Sequence, residues 1–517
     1  MRNNIKTLLG AVLLTFAVSS CHEESDTVLS YVGQNSLSFE GADKSFAGKY
    51  RVFWNAMNTN YAMWDYEKEC GLDWDEHYKQ WLPKFEALDK ESSVGNEDLR
   101  ELMREMLSPL HDGHMYVEFS NHLTGDKVGA RPSDMRTANR EDYSNTTNFL
   151  PSLEGYEEEL YEHSFASTRL QDQVEVMTRT EEIGYDWAIE RIKDLQQKEN
   201  PTQAEAKELS GLFDFIGEVN KLKETYTINE DYITKYNQMV AKYSYLDIPF
   251  LEPLDKVFLE NGIYVSYGLF NDGIAYIYIS SFSLTPYVVS DIFTASFPET
   301  NRRSYDLATQ VRDVWSSWFR AVQLLHKGGQ LKGVIIDVRN NGGGMLYDSN
   351  FLLGALLPSG GLQYGWARFK RGVGRYDYSP MMPMELYTLS SEHEIINDVP
   401  VVVLANSHSV SMAEATSLGV KQMPNGCLIG KRTYGGLCAL SPESEFSTNY
   451  TTHIGQRGKT PVYCYLPNMA MFDMDKKALD GVGVEPDIDV DIDKIDFVFE
   501  GKDNQLDRAL EYIRSGK

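Results

Sequence analysis

Apolar residues recur at helical spacing through the first part of the chain. Phe53, Trp54, Met57, Tyr61 and Trp64 share one face, and "LDWDEHYKQWLPKFEAL" predicts a second helix. "NEDLRELMREMLSPL" predicts a third, with Leu99, Leu102, Met103, Met106 and Leu107 on one side. Residues 120 to 250 are rich in Glu, Lys, Gln and Tyr and poor in β-branched runs, so they read as helices joined by polar loops. A proline within "RIKDLQQKENPTQAEAKELSGLF" marks a break between two of them. From about Asn261 the period changes. "GIYVSYGLFNDGIAYIYISSFS" predicts a hairpin around "NDG", with alternation at Ile274, Tyr276 and Tyr278. An amphipathic helix from Tyr305 to Leu325 follows, burying Leu307, Val311, Val314, Trp318, Val322 and Leu325. Three short apolar runs, "GVIIDV", "VVVLAN" and "CLIG", then alternate with helical stretches. That alternation predicts α/β units around a mostly parallel or mixed sheet. Loops between them, such as Gly360 to Pro380, are where substrate contacts would sit, and "DNQLDRALEYIRS" predicts a terminal helix.

Composition narrows the function classes. With 517 residues, 42% hydrophobic and 24% charged, the chain can bury a large core in more than one domain. A net charge of −27 excludes a nucleic-acid partner, because no basic stripe could neutralise phosphates. Arg2 and Lys6 precede the apolar run Leu8 to Val18, which is too short to span a bilayer and ends in "VSSC". This ending resembles a bacterial lipoprotein box, which implies cleavage before Cys21 and lipid attachment to its thiol. His22 and Glu23 follow it, which favours the outer membrane, periplasmic or surface-facing. The chain therefore divides into a signal peptide (1–21), a tether (22–45), an N-terminal helical domain ending in a His motif (46–119), a helical insertion (120–255) and a catalytic domain (256–517). Cys70, Cys427, Cys438 and Cys464 remain, and no CxxC or HExxH spacing calls for a metal; no cofactor is implied.

Four stretches could carry chemistry. "IIDVRNNGGGM" puts three glycines after a buried strand, where freed amides suit an oxyanion as well as a plain turn. "SPLHDGHMYVEF" places His111 and His114 at a helix–strand junction, and spacing does not choose between them as a general base. In "NSHSVSMAEA" three serines crowd a strand-to-helix turn. Ser411 is there either a nucleophile or, with Glu414, one half of a capping box. "ALDGVGVEPDIDV" offers Asp480, Glu485 and Asp487 as partners for an imidazole.

Taken in order, these stretches resemble the C-terminal processing (tail-specific) serine peptidase family. "GVIIDVRNNGGG" looks like its strand-and-glycine motif, "NSHSVSMAEATSLGVKQ" its nucleophile segment, "IGKRTYGG" the G-E-x-T-x-G-K that follows, and "GVGVEPDIDV" the closing segment. The resemblance implies a crotonase-like (ClpP-like) ββα core of mixed sheet and helices within an α+β or α/β architecture. The family's PDZ module is not recognisable. Residue by residue, the resemblance puts the nucleophile on Ser411 and the oxyanion hole on the amides of Met412 and Gly343. Where the Ser–Lys branch carries its lysine this chain has Gly436, and Lys431 stands at a Glu position. The tricorn-core-like branch instead takes its base from a "D-G-H" segment, which matches His114 here, with Asp480 in place of a Glu as the third member. The implied function is a secreted serine peptidase acting on peptide or unfolded protein, anchored by lipid through Cys21. A non-catalytic peptide- or ligand-binding lipoprotein on the same fold, or a serine esterase, are the rival functions. A fluorophosphonate probe on Ser411 separates binder from enzyme.

Overall fold

The computed structural model describes residues 44–140, 151–168 except 154, 187–198, 201–225, 262–388 except 373, 395–438, 453–493 and 501–516, with isolated positions between. The signal peptide, Cys21 and the tether as far as residue 43 lie outside the described residues. Among the described residues no helix is long and apolar enough to cross a membrane. The chain is mixed α+β and divides into two compact units, the first built from 44–140, 364–384 and 435–483, the second from the described parts of 141–363, 385–434 and 484–517.

The first unit opens with the helices Phe46–Asn60, Trp64–Glu69, Trp74–Leu88 and Asn96–Leu107. Each long one starts where the chain supplies a cap or a flexible residue. Ser45 Oγ accepts from the Gly48 amide at 2.9 Å, and Asp73 accepts from Asp75 and Glu76 at 3.0 Å. The predicted faces are the buried ones, with Phe53, Met57, Tyr61, Trp64, Leu99 and Met103 in one core. Against them lies a four-stranded antiparallel sheet in the order β11 (His453–Ile454), β12 (Val462–Tyr465), β1 (Tyr116–Ser120), β2 (Lys127–Ala130), with Val117 opposite Cys464. Each large apolar side chain withdrawn from water there contributes about 1.5–3 kcal/mol. The stretch expected to be a substrate loop after Gly360 instead carries β7 (Leu362–Phe369), which pairs antiparallel with β13 (Met469–Phe472) in a three-stranded sheet completed by β8 (Met382–Leu386).

The second unit holds a seven-stranded mixed sheet in the order β14 (Ile488–Asp489), β10 (Gly426–Gly430), β9 (Val401–Ala405), β6 (Gly333–Asp337), β5 (Ile274–Ile279), β4 (Tyr264–Phe270), β3 (Leu160–Ser167). β5 through β14 pair in parallel, and β3, β4 and β5 are antiparallel. The hairpin forms as predicted, but without polar alternation: every residue of β4 and β5 is buried. Helix Arg302–Lys327 packs on β3, β4 and β5, while Leu506, Leu510 and Ile513 of helix Asn504–Ser515 share a core with Tyr276, Ile335 and Leu404. Strands β2 and β3 fall in the stretch expected to be helical. In β3 the exposed Tyr161, Glu162 and Phe165 mask any strand signal, and pairing with β4 decides the conformation. Helices Trp187–Gln196 and Gln203–Thr225 do flank the predicted break.

The carboxyl end of β6 is fixed by a buried ion cluster. Arg339, inaccessible to solvent, donates to Asp337 at 2.5–3.0 Å, to Asp503 at 2.6 and 2.9 Å and to Gln505 Oε1 at 3.0 Å. Asp503 also caps helix Asn504–Ser515 through the Gln505 and Leu506 amides. Arg339→Ala leaves two buried carboxylates unpaired, so we expect a loss of about 3–5 kcal/mol in chemical denaturation. A loss below about 1 kcal/mol would mean the cluster is not the anchor.

Candidate active site

The turn after β9 is built almost wholly from side chains satisfied by backbone. Ser409 Oγ accepts from the Asn406 amide at 3.0 Å and donates to Val338 O at 2.7 Å, so it joins β9 to β6 and is fully buried. Ser407 is buried as well, and Ser411 is the partly exposed serine of the three. Ser411 is also strained: φ 56° and ψ −113° is a conformation that a non-glycine residue holds at about 1–3 kcal/mol.

That strain is held from both sides. The Val410 amide donates to Asn341 O at 2.9 Å, and the Ser411 amide donates to Glu414 Oε2 at 3.0 Å. Glu414 is buried and its Oε1 accepts from the Thr433 hydroxyl at 2.6 Å, while Thr433 Oγ1 accepts from the Val484 amide at 2.7 Å. The cap and the candidate nucleophile are thus the same residue. The acid of the capping pair reaches back to the Ser411 backbone and ties Thr433, and through it the Val484 amide, to the turn.

The glycine turn lies against this serine. A Cβ on Gly343, whose φ is +90°, would stand 2.6 Å from Ser411 Cβ and 3.0 Å from the Met412 amide nitrogen. Only glycine admits that approach. Asn341 shapes the turn, donating to Ile279 O at 2.8 Å and accepting from the Gly343 amide at 2.8 Å. The Gly343 N–H expected in an oxyanion hole is therefore engaged by Asn341 in this state. Asn341 and Thr433 were not singled out from sequence, although both sit inside recognised segments.

In the first unit, the loop bearing "HDGH" is clamped at each residue. Glu67, fully buried, accepts from the His111 amide at 2.9 Å, from His111 Nδ1 at 2.8 Å and from the Tyr61 hydroxyl at 2.8 Å. Asp112 Oδ1 accepts from the amides of His114 and Met115, both at 2.7 Å. Burial, followed by the Arg131 charge, pushes the His114 imidazole down to about 4, so it is neutral at physiological pH. Its Nδ1 is buried without a hydrogen-bond partner. Asp480 accepts from the Cys438 amide at 2.8 Å and the Gly113 amide at 3.4 Å. The short Asp side chain here serves backbone.

Gly113 packs directly on "TYGG": a Cβ on it would meet Gly436 Cα at 2.4 Å. Lys431 is held between Asp489 and Asp491 at 2.8 and 2.9 Å; burial opposes its charge, but these carboxylates keep it above the usual lysine range. Asp487 accepts from Lys421 at 2.7 Å and from the Leu428 amide at 2.8 Å, and Glu485 is exposed 3.8 Å from Arg432. Both belong to the sheet edge. Cys70, Cys427, Cys438 and Cys464 are free thiols.

Residues 273–490 match the family model described as Peptidase family S41. A tricorn protease homolog of Saccharolobus solfataricus is 31% identical over 182 residues, covering 35% of this chain and 14% of that protein. The tricorn protease of Thermoplasma acidophilum is 24% identical over 182 residues with the same coverage, so the matched stretch spans 14% of the length of these curated relatives. A solved structure from Parabacteroides merdae ATCC 43184 is similar at 18% identity, covering 90% of this chain and 95% of that one, with a TM-score of 0.45.

The contact of Gly343 with Ser411 gives a direct test. In Gly343→Ala the methyl group must displace Ser411 or the Met412 amide, so labelling of Ser411 by a fluorophosphonate should slow by about two orders of magnitude, the scale of one misplaced oxyanion donor. Wild-type labelling in a folded variant would show that the turn tolerates the methyl group and does not set the serine.

Proposed function

We propose that this chain, whose residues 273–490 match the model of peptidase family S41, is a serine peptidase that cleaves peptide or unfolded-protein substrates with Ser411 as nucleophile and His114 as its base. The observation that carries the proposal is the Ser411 turn. It holds a partly exposed hydroxyl in a strained backbone at a helix start, braced by a buried Glu414 and closed on one side by Gly343.

The chemistry follows from these groups. The Ser411 hydroxyl attacks the scissile carbonyl carbon as its proton passes to the neutral His114 imidazole, which later returns a proton to the leaving amine. The Met412 amide opens helix Met412–Gln422, where the helix dipole favours the oxyanion. The Gly343 amide becomes the second donor when the substrate oxygen takes the place of Asn341 Oδ1. Asp480 serves by joining the Gly113 and Cys438 backbones, which keeps the histidine loop in register. Lys431, already paired twice, takes no part in proton transfer.

Ser411→Ala should abolish hydrolysis of an unfolded casein, and His114→Gln should lower kcat by at least about 10³-fold, on the scale of a lost triad member. Lys431→Ala should leave kcat within about threefold, since it removes only surface ion pairs. A Lys431→Ala loss equal to that of Ser411→Ala would reassign the base.

We further propose that the mature chain is anchored in the outer membrane by lipid on Cys21. Fatty-acid metabolic labelling should mark the wild type and not Cys21→Ser; equal labelling of both would reject the anchor.

A further inference from the structure

We infer that Asp112, rather than the acid of the closing segment, is the carboxylate that positions the His114 ring. The inference rests on the assignment of His114 as base. It starts from an unmet need. A neutral imidazole that accepts a serine proton at Nε2 must carry its own proton on Nδ1, and that N–H requires an acceptor. His114 Nδ1 is buried with no hydrogen-bond partner, a deficit that a folded protein rarely leaves unanswered.

Asp112 holds the matching deficit. It is fully buried, and Oδ1 already accepts from the amide of the residue that bears the ring, at 2.7 Å. Its other oxygen, Oδ2, is buried with no partner. One carboxylate bonded to the His114 backbone thus has a vacant acceptor, and the same residue has a vacant donor. Rotation of the ring, or one water between them, joins the two. Asp480 offers no such match, because each of its oxygens already accepts a backbone amide. The proton stays on Nδ1 and Asp112 stays ionised: the bond orients the ring and stabilises the imidazolium formed during attack.

The groups facing Asp112 are Tyr61, Glu67, Arg136, Cys438 and Tyr465. Arg136 is the competitor for Oδ2, since its Nε and Nη2 are also buried without partners while Nη1 donates to His111 O at 3.0 Å. Burial pushes the Asp112 carboxyl up to about 7, with the Met115 and His114 amides and Arg136 opposing and Glu67 reinforcing. The acceptor is therefore ionised above about pH 7 and protonated below it.

The decisive variant is Asp112→Asn in the full chain. The amide oxygen still accepts from the His114 and Met115 amides, but an NH2 donor now stands where the ring N–H needs an acceptor. We expect kcat/KM for a peptide substrate to fall by about 10³–10⁴-fold with KM nearly unchanged, as when a triad carboxylate becomes an amide. The melting temperature should hold or rise, because a buried charge is removed. Asp480→Asn should cost less than tenfold. Independently of turnover, the wild type should show a low-field Nδ1–H proton resonance, assigned by its loss in His114→Gln, that persists at pH 8 and weakens as pH falls through about 7. Full activity in Asp112→Asn with the resonance intact would overturn the inference. So would a resonance that vanishes in Asp480→Asn alone, or one in the wild type that does not respond to pH near 7. If wild-type Ser411 resists the fluorophosphonate while the resonance behaves as stated, the peptidase assignment fails and the Asp112 pairing stands.

Discussion

A guanidinium held away from water sets the geometry of the second unit. Arg339 follows β6 by two residues and cannot lose its proton, so its desolvation must be answered by charge. Asp337 answers from the strand itself, and Asp503 from the start of the last helix. Tyr276 of β5 adds its hydroxyl to Asp337 at 2.9 Å. Three elements far apart in the chain are thereby required to meet at one point, the carboxyl edge of the sheet. The glycine turn begins at the next residues. Its position relative to β9, and so to Ser411, follows from where this cation is held.

The serine turn shows why capping and catalysis are poor alternatives. A capping acid is ordinarily a surface feature of modest worth. Glu414 is buried, and it divides its two oxygens between the Ser411 amide and Thr433. The bond that starts the helix is also the one that keeps a serine at positive φ. Strain of this kind persists only where the surroundings over-determine it. Here the surroundings comprise Asn341, Glu414, Thr433 and Gly343, contributed by three separate segments.

Much of this was legible in order and little of it in detail. The periodic faces at Phe53 and Leu99, the "NDG" hairpin and the alternating apolar runs specified their elements because burial of those faces decides the fold locally. Strand β3 was not legible, since Tyr161, Glu162 and Phe165 reflect an exposed edge whose conformation comes from β4. Ser411 could be chosen by its place in a segment. The partners of Asp480 could not, since the Gly113 amide reaches it from 367 residues away in the chain, whereas those of Asp112 are the nearby His114 and Met115 amides. Nor could the engagement of the Gly343 amide, although its partner Asn341 is only two residues away.

The packing of Gly113 on Gly436 bears on how such a site can change over time. Two bare backbones touch there, so Gly113 has no room for even a methyl group. Any side chain at position 113 would have to expel the Gly435–Gly436 backbone. Drift at position 113 is thereby closed off by sterics, before selection on any rate has a say.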